Sequence, residues 1–415
     1  MIFGDCRLFV LAILRYNQIV KTETKYMKIG INASFARKIN TGIGQVTINF
    51  LKELSKSKRD KFVLYLEEDL PKDIKLPRNF KKRIFLPLWK RDDLVRKIWW
   101  EKIMLPKKIK EDKCDVFLSL YQCPTKLDKR IKHIMVVHDI IPELFPEYLN
   151  NSRKRMYWNL TKKAIHQADK IMAISIRTEK DLIQHLKIDP RKITVNYIDV
   201  DVIYKKEVTD LESKKVLKKY KLKPGYIYSG GGLEVRKNME GLIRAYSLLL
   251  KNNKKSQTIP NFPQLVISGK LMPDLAPLIT DAEKLIKELN LTKDIKLLDF
   301  VPQENLPALY QNARIFVFPS LYEGFGLAVL EAMNMGTPVI ASKISSLPEV
   351  GRDAILYFDP RDIQDMAMVI KNVLQNEHLR TELKRRGKER AQTFDWKNFV
   401  KKLLGIIENN SPKKK

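Results

Sequence analysis

Short, continuously apolar segments alternate with longer amphipathic segments along this chain, and the alternation begins again after Pro224. Short apolar runs are typical of strands buried on both faces, and helices between them indicate a parallel sheet. The pattern therefore predicts an α/β protein with two doubly wound parallel-sheet domains. The predicted strands are Ile29–Ile31, Phe62–Leu66, Val116–Leu120, Ile134–Val137, Lys170–Ile174 and Ile193–Tyr197, then Tyr226–Ser229, Leu265–Ser268, Ile295–Leu297, Ile315–Phe318 and Val339–Ala341.

Four regions follow from this pattern and from local composition. They are an N-terminal extension, residues 1–26, a first domain, residues 27–205, a second domain, residues 206–393, and a C-terminal segment, residues 394–415. The extension has an apolar run, Leu8–Leu14, without a small-residue cleavage pattern. We interpret it as a misassigned start rather than a secretion signal or a short interfacial anchor. The lysine-rich stretch Asp201–Leu222 is predicted to be an exposed interdomain linker.

Composition excludes several classes of protein. A chain of 415 residues with 44% apolar residues can form a large core in each domain, which excludes a small disulfide-stapled scaffold. The three cysteines form no CxxC pair, which argues against disulfides and structural zinc and indicates a reduced, cytoplasmic protein. No apolar run reaches the roughly 18 to 20 residues that cross a bilayer, which excludes a polytopic membrane protein.

The chain is strongly basic, with 78 Lys and Arg residues against 48 Asp and Glu residues and a formal charge of +30. Charge alone points to a nucleic acid, an acidic membrane or a phosphorylated small molecule, and a lysine-rich habit without a dedicated partner is an equal alternative. Residues 1–200 carry 42 of the basic and 23 of the acidic residues. Because the excess is shared by both halves, we expect no nucleic-acid partner.

Two polar motifs follow predicted strands of the first domain, at the sheet edge where ligands bind in such folds. Thr41–Gly44 is a glycine turn that enters a helix, and Gly42 and Gly44 let the backbone approach a substrate or an anion closely. His138 and Asp139 follow the fourth predicted strand, where a satisfied histidine at a helix cap is the structural alternative. The place of His138 at the carboxyl edge favours contact with a substrate.

In the second domain, the glycine run Gly230–Gly232 leads to Arg236 and Lys237, directly before an amphipathic segment. The spacing is not GxGxxG, so a dinucleotide site is not supported. Two cations at the positive end of a helix repel each other unless an anion joins them. We therefore interpret the pair as a diphosphate site rather than a solvated basic turn.

The strongest motif follows the fourth predicted strand of the second domain and reads SLYEGFGLAVLEAM. Glu323 lies in the loop, Gly324 and Gly326 free the backbone, and Glu331 lies on the second turn of a helix that begins near Leu327. Helix N-terminal amides bind phosphate, and carboxylates accept hydrogen bonds from hydroxyls. The combination suits a nucleotide sugar, because a buried glutamate without such a partner would be costly.

These motifs together resemble glycosyltransferase family 4, whose members are retaining enzymes of the GT-B fold. Glu323 and Glu331 match the E-x7-E motif of the family, and the strings TGIG, VVHDIIPELFP, GGLEVRKN, LVISGK and FVPQENLPALYQNA follow the family's order. The resemblance implies two Rossmann-like domains that face a central cleft, with the C-terminal segment crossing back onto the first domain. One departure is Gly231–Gly232, where many relatives carry an arginine.

The resemblance also implies roles for the site residues. Glu331 would bind the ribose hydroxyls of a nucleotide sugar, and Glu323 with the neighbouring loop amides would hold the donor sugar. Arg236 and Lys237 would hold the diphosphate. The implied catalytic residues are Glu323, His138, Arg236 and Lys237, and the implied donor-binding residues are Glu331, Gly324, Phe325, Gly326, Leu327, Gly42 and Gly44.

The implied reaction moves a hexose, with retention of configuration, from a nucleotide diphosphate sugar to a glycan or lipid-linked acceptor in cell-surface polysaccharide synthesis. The strings RKN and HDIIPELFPEY are most similar to mannosyltransferases, which favours mannose and GDP-mannose. We expect no cofactor beyond this co-substrate and no metal, and we interpret the D-x-D pattern of Asp199 and Asp201 as coincidence at the linker. A GT-B-fold sugar-nucleotide epimerase or phosphorylase is the alternative, and hydrolysis or epimerisation of the free nucleotide sugar without an acceptor would favour it.

One segment bears on membrane binding. Lys90–Lys110 places Leu94, Val95, Ile98, Trp99 and Ile103 at helical spacing among many cations, ended by Pro106. A basic amphipathic helix with tryptophans can lie on an anionic membrane, although such a helix can equally pack on its own domain. An anionic membrane surface is thus a further expected partner, at the inner face of the cytoplasmic membrane.

Overall fold

The computed structural model describes residues 27–58, 60–87, 93–271 and 278–410. The predicted extension, residues 1–26, and the end of the predicted basic tail, residues 411–415, lie outside the described residues. The described chain forms a seven-stranded and a six-stranded parallel sheet, each with helices packed around it. The prediction of two Rossmann-like parallel-sheet domains is confirmed.

The first sheet has the strand order β3-β2-β1-β4-β5-β6-β7. Ile29 pairs with Phe62 on one side and with Val116 on the other, so β1 is an interior strand. Interior strands are covered on both faces, which is why their sequences are continuously apolar. The strands are β1 Lys28–Asn32, β2 Lys61–Leu66, β3 Phe80–Ile84, β4 Val116–Ser119, β5 Lys132–Val137, β6 Lys170–Ala173 and β7 Ile193–Val195.

Polar side chains begin the helices of this sheet. Thr41 accepts a hydrogen bond from the amide of Gly44, and Asn151 and Ser175 cap two later helices in the same way. The helices are α1 Gly42–Leu54, α2 Asp93–Trp99, α3 Leu105–Glu111, α4 Ile141–Leu144, α5 Ser152–Gln167 and α6 Ile176–Leu186. We call β1–β7 with α1–α6 the first lobe.

The second sheet has the order β10-β9-β8-β11-β12-β13. Its strands are β8 Tyr226–Ser229, β9 Leu265–Ser268, β10 Ile295–Leu298, β11 Ala313–Phe318, β12 Val339–Ser342 and β13 Leu356–Phe358. Its helices are α7 Asp210–Tyr220, α8 Met239–Ser256, α9 Ala282–Glu288, α10 Leu306–Gln311, α11 Leu327–Asn334, α12 Leu347–Gly351, α13 Ile363–Gln375 and α14 Glu377–Ala391. We call β8–β13 with α7–α14 the second lobe.

Three details differ from the sequence-based expectation. The edge strands β3 and β13 were not predicted, because β3 is polar, with the consecutive exposed residues Lys81 and Lys82, and β13 has three residues. The predicted linker contains α7, which a capping box between Thr209 and Glu212 begins and which buries Val216 and Leu217. Pro106 does not end the basic helix: a π-helical turn leads into α3, and the proline lies in the first turn of α3.

The last described helix, α15 (Trp396–Asn410), packs on α1 of the first lobe. The Trp396 indole donates to the Val200 carbonyl at 2.9 Å, and the Asn196 amide donates to the Phe399 carbonyl at 3.0 Å. The Phe399 ring meets the Phe50 ring edge-on at 6.1 Å between centroids. The chain therefore returns to the first lobe after it has completed the second.

The described residues contain no helix that is both long enough and apolar enough to cross a bilayer. In the basic amphipathic segment, Trp100 is fully buried, and its indole donates to the Phe85 carbonyl at 2.9 Å. Trp99 and Ile103 remain 41% and 45% exposed. The segment thus packs on its own lobe through one face and leaves apolar side chains on the other.

Candidate active site between the lobes

A cleft of about 630 Å³ separates the two lobes at the carboxyl ends of their strands. Loops after β1, β5, β8 and β11 line it, as expected for doubly wound sheets. All but one of the predicted site residues contribute to its walls: Gly42, His138, Arg236, Lys237, Glu323, Gly324, Phe325, Gly326, Leu327 and Glu331. Gly44 is the exception among them.

Glu323 is the centre of a buried ion cluster on the second lobe. Its Oε1 accepts hydrogen bonds from Nζ of Lys237 at 2.6 Å and from Oγ of Ser320 at 2.7 Å. Its Oε2 lies 3.3 Å from Nη1 of Arg236. On the other side of Arg236, Oε2 of Glu234 lies 2.6 Å from Nε, an ion pair without hydrogen-bond alignment. The structure therefore brings the three predicted charged residues together.

The neighbouring charges of this cluster keep its side chains ionised despite their burial. Burial opposes ionisation of Glu323, but the charges of Lys237 and Arg236 outweigh it and hold the pKa of the carboxyl below its usual value. Burial lowers the pKa of Lys237, and the Glu323 carboxylate partly offsets the effect. Burial also acts against the charge of Arg236, but Glu323 and Glu234 raise its pKa overall. The cluster consequently holds the two cations in fixed positions, paired with the carboxylates of Glu323 and Glu234.

Glu331 occupies a different environment on α11. The carboxylate is buried and accepts a hydrogen bond from the Tyr310 hydroxyl at 2.8 Å. Burial raises its pKa to about 7, against the hydrogen bond of Tyr310, and the charge of Asp201 adds to the rise. Asp201 is therefore closer to the cleft than the sequence indicated.

The glycines of the 323–327 loop allow two close approaches. A Cβ on Gly324 would stand 2.2 Å from the His138 carbonyl oxygen, so only glycine lets the lobes meet there. Gly326 has a φ of +109° and directly precedes α11, whose first residues, Leu327 and Ala328, line the cleft. The side chain of Phe325 instead packs between the rings of Tyr197 and Phe394.

His138 is buried at the end of β5. Its Nε2 lies 2.8 Å from the Leu120 carbonyl oxygen, which can only accept, so Nε2 carries the proton. Burial lowers the pKa of the ring to about 4, against this hydrogen bond. The ring is therefore neutral near pH 7, and its Nδ1 is a hydrogen-bond acceptor.

The two glycines of the TGIG turn differ in role. Gly42 lies across the cleft from Leu327, whose Cδ1 stands 3.9 Å from the place of a Cβ on Gly42. Gly44 is buried behind the turn, where a Cβ would stand 1.9 Å from the Lys38 carbonyl oxygen. The expectation that Gly44 faces the cleft is therefore not met: its missing side chain allows the chain to fold back on residues 38–39.

Two family models match the chain: Glycosyltransferase Family 4 over residues 40–202 and Glycosyl transferases group 1 over residues 211–390. The chain is also 33% identical over 289 residues to O-antigen chain mannosyltransferase B of Escherichia coli, a match that covers 69% of this chain and 72% of the relative. The chain belongs to the group 1 glycosyl transferases. Serotype-specific mannosyltransferase WbdA of Escherichia coli is 34% identical over 272 residues, 64% of this glycosyltransferase and 32% of WbdA, so the chain spans about a third of that relative.

Solved structures show the fold of the glycosyltransferase. HepE of Anabaena in complex with UDP-glucose superposes with a TM-score of 0.68 at 17% sequence identity, over 92% of this chain and all of that chain. At this level of identity the likeness concerns the fold alone. Two Rossmann-like lobes around a cleft are the GT-B fold, as the resemblance implied.

Several polar groups that hold the site of the glycosyltransferase were not predicted. Ser345 and Ser346 donate hydrogen bonds to the Glu323 carbonyl, and Ser345 also accepts one from the Glu323 amide. Asp139, beside His138, is half-buried near Arg236, and its partial removal from water raises its pKa. A serine pair 22 residues after a motif carries no pattern of its own, whereas Asp139 was visible as part of the HD pair.

The predicted D-x-D pattern serves the glycosyltransferase structurally. Asp199 accepts hydrogen bonds from the Val200 amide and the Lys205 ammonium, and Asp201 accepts one from the Ile203 amide at 3.0 Å. In the described parts of the chain, no three His, Cys, Asp or Glu side chains gather as a metal site would require.

Proposed function

We propose that this glycosyltransferase transfers a hexose, with mannose favoured, from a nucleotide diphosphate sugar to a glycan or lipid-linked acceptor in cell-surface polysaccharide synthesis. The observation that carries the proposal is the cluster of Arg236, Lys237 and Glu323, which lies in the same cleft as Glu331 and opposite His138. The fixed cations suit the diphosphate of such a donor, and the carboxylates suit the hydroxyls of its ribose and its sugar.

The donor would bind along the second lobe. Its diphosphate would meet Arg236, Lys237 and the N-terminus of α11, whose amides and dipole favour an anion. Glu331 would accept hydrogen bonds from the ribose hydroxyls, and Glu323 from hydroxyls of the sugar. GDP-mannose is the donor we favour, because O-antigen chain mannosyltransferase B and WbdA are 33% and 34% identical to this chain.

Transfer would be driven by electrostatic stabilisation of the leaving group. As the bond between the sugar and the diphosphate breaks, negative charge grows on the phosphate oxygen, and the cations of the cluster already face it. We propose retention by front-face attack, in which this oxygen takes the proton of the acceptor hydroxyl. Glu323 is a poor nucleophile, because Lys237 and Ser320 hold its Oε1.

His138 would act as a positioned acceptor. A ring with a pKa of about 4 cannot give a proton to a leaving group near pH 7. Its Nδ1 would instead accept a hydrogen bond from a donor sugar hydroxyl. This role fits the contact of its carbonyl with Gly324, which places the ring against the donor loop.

Two measurements test the donor and the chemistry. GDP-mannose at about 100 times its dissociation constant should raise unfolding stability by about 2.7 kcal/mol, and UDP-glucose should raise it less. NMR of the product from GDP-mannose and p-nitrophenyl α-mannoside should show an α-linkage, as retention requires. If no nucleotide sugar of a panel raised the unfolding stability, the result would contradict the proposal.

We also propose that the reaction needs no metal, since Arg236, Lys237 and α11 supply the positive charge. Activity should then survive EDTA with less than a twofold change. Complete loss on chelation, with recovery on Mn²⁺ addition, would refute metal independence. An Asp199→Asn variant provides the control for a contribution from the D-x-D pattern.

We propose a cytoplasmic enzyme that attaches to the inner face of the membrane through its first lobe. Exposed Trp99 and Ile103 stand on a helical stretch with the exposed Lys102, in the more basic half of the chain. Such a surface favours anionic lipid. The protein should sediment with phosphatidylglycerol vesicles in low salt and release in 0.5 M salt, whereas equal binding to phosphatidylcholine vesicles would contradict the proposal.

A further inference from the structure

The N-terminus of α6 in the first lobe is completed by the second lobe. The Ser175 hydroxyl caps the helix by accepting a hydrogen bond from the Thr178 amide at 2.9 Å. The amides of Ile176 and Arg177, in the first turn, then need acceptors from outside the helix. Both amides donate to Glu349 of the second lobe, one to each carboxylate oxygen, at 2.8 and 2.9 Å. A carboxylate at this place also interacts favourably with the helix dipole.

A second contact joins α6 to the donor loop. The Tyr322 hydroxyl donates to Oδ2 of Asp181 at 2.7 Å, and Asp181 is fully buried beside Arg177. Tyr322 directly precedes Glu323 in the chain. Nearby, the Thr178 hydroxyl lies 3.0 Å from the His138 carbonyl oxygen and 3.3 Å from that of Gly324.

Glu349 is itself held in place from behind. The Arg390 guanidinium donates to the carbonyls of Glu349 and Val350 at 2.8 and 2.9 Å. On the preceding turn, Ser345 and Ser346 hold the Glu323 carbonyl. The segment 345–349 therefore contacts both the loop 322–326 of the second lobe and α6 of the first lobe. A movement between the lobes would change both contacts.

We propose that Glu349 and Tyr322 are positioning residues for the transfer reaction. They seat α6 on the second lobe and so hold His138 against the loop that carries Glu323. This inference rests on the proposed function. The contact between Glu349 and α6 can form reversibly, because water can hydrogen-bond to the two α6 amides and to the Glu349 carboxylate when the lobes separate.

The test uses Glu349→Gln and Tyr322→Phe, with Glu288→Gln and Tyr357→Phe as matched controls. Glu288 is an exposed carboxylate of the second lobe, and the Tyr357 hydroxyl donates to the Arg352 carbonyl on the same lobe. For each protein we would measure the dissociation constant of GDP-mannose, kcat with p-nitrophenyl α-mannoside, hydrolysis of GDP-mannose by water, and the radius of gyration by X-ray scattering.

We expect both test variants to lower kcat about tenfold and to raise the ratio of hydrolysis to transfer, since water enters an incompletely seated cleft. GDP-mannose affinity should stay within about twofold, because the donor contacts of the second lobe are intact. The radius of gyration should increase in both variants and in neither control.

Two results would overturn the proposal. One is an unchanged kcat and radius of gyration in both variants. The other is a parallel loss of kcat, donor affinity and thermal stability, which would mean a structural role. If the unmodified protein does not bind GDP-mannose, the proposed donor is wrong, and the scattering result alone still decides whether Glu349 and Tyr322 seat α6.

Discussion

The two lobes contribute different kinds of chemistry to the cleft. The second lobe supplies charges: Arg236, Lys237 and Glu323 form one cluster, and Glu331 lies alone with its pKa near 7. The first lobe supplies a neutral histidine, His138, and a glycine turn. The second lobe thus brings most of the charged side chains to the cleft, whereas the first lobe brings His138, Asp139 and a glycine turn.

The lobes also respond oppositely to pH. In the first lobe, burial lowers the pKa of His133 and of His138 to about 4, so acid opposes the folded state. In the second lobe, burial raises the pKa of Glu331 from 4.5 to about 7, so its contribution to stability is complete below pH 4.5 and is lost as pH rises to 7. Ligand-free stability should therefore be greatest between these limits.

The largest effect is expected from the charged lobe. Lys237→Met removes the cation closest to Glu323 and one of two that face the diphosphate, and kcat should fall about 1,000-fold. Lys343→Met, at an exposed position of the same lobe, should leave kcat unchanged. Steady-state kinetics with GDP-mannose measure both. A loss below tenfold would show that the second lobe does not carry the leaving-group charge.

Acid sensitivity should come from the first lobe. Each buried histidine has a folded pKa of about 4, below the unfolded value of about 6.5, so its stabilising effect is complete above pH 6.5 and is lost as pH falls toward 4. The loss is up to about 3 kcal/mol per histidine. Urea unfolding from pH 7 to 4.5 should show a smaller slope against pH for His133→Asn than for exposed His378→Asn. Equal slopes would refute the assignment.

The two carboxylates of the second lobe should separate in their effects. Glu323→Gln keeps the size of the side chain but weakens its pairing with Lys237 and Arg236, so kcat should fall about 100-fold. The dissociation constant of GDP-mannose should change less than threefold, because the diphosphate cations remain. Isothermal titration and kinetics on one protein sample measure the two quantities. If Glu323→Gln weakened binding and left kcat unchanged, the role of Glu323 in turnover would be contradicted.

The smallest expected effect is that of Glu331→Gln, which should weaken GDP-mannose binding about tenfold and change kcat little. Ribose hydroxyls donate to the ionised carboxylate, so affinity in the unmodified protein should rise between pH 6 and pH 8, through the pKa of about 7. The variant should lose this dependence, and without ligand it should be more stable at pH 8. A pH profile that is unchanged in the variant would contradict the role.

The sequence predicted the site residues of the second lobe better than the contacts that join the two lobes. Glu323, Glu331, Arg236 and Lys237 belong to local motifs, and a parallel sheet with continuous apolar strands brings such loops to one edge. The pairing of Glu349 with the amides of α6 joins groups 173 and 172 residues apart and leaves no local pattern.

The failed expectations have the same physical origin. Gly44 was expected at the cleft because a glycine can serve either a ligand or a tight chain contact, and only the position of the Lys38 carbonyl decides between them. The linker was expected to be exposed because it is rich in lysine, and two apolar residues, Val216 and Leu217, gave no clear signal among them. Both residues pack on the second lobe. In both cases tertiary contacts determine what the residue type leaves open.

The path of α15 has a consequence for biosynthesis. On α15, Phe399, Leu403 and Ile407 are buried in the same core as Phe50 of α1, yet all three are translated after the whole second lobe. A nascent chain that has emerged through β7 therefore shows an uncovered apolar face, which is a site for chaperone binding and for association between polysomal chains. The first lobe can therefore complete this part of its apolar core only after α15 has been translated.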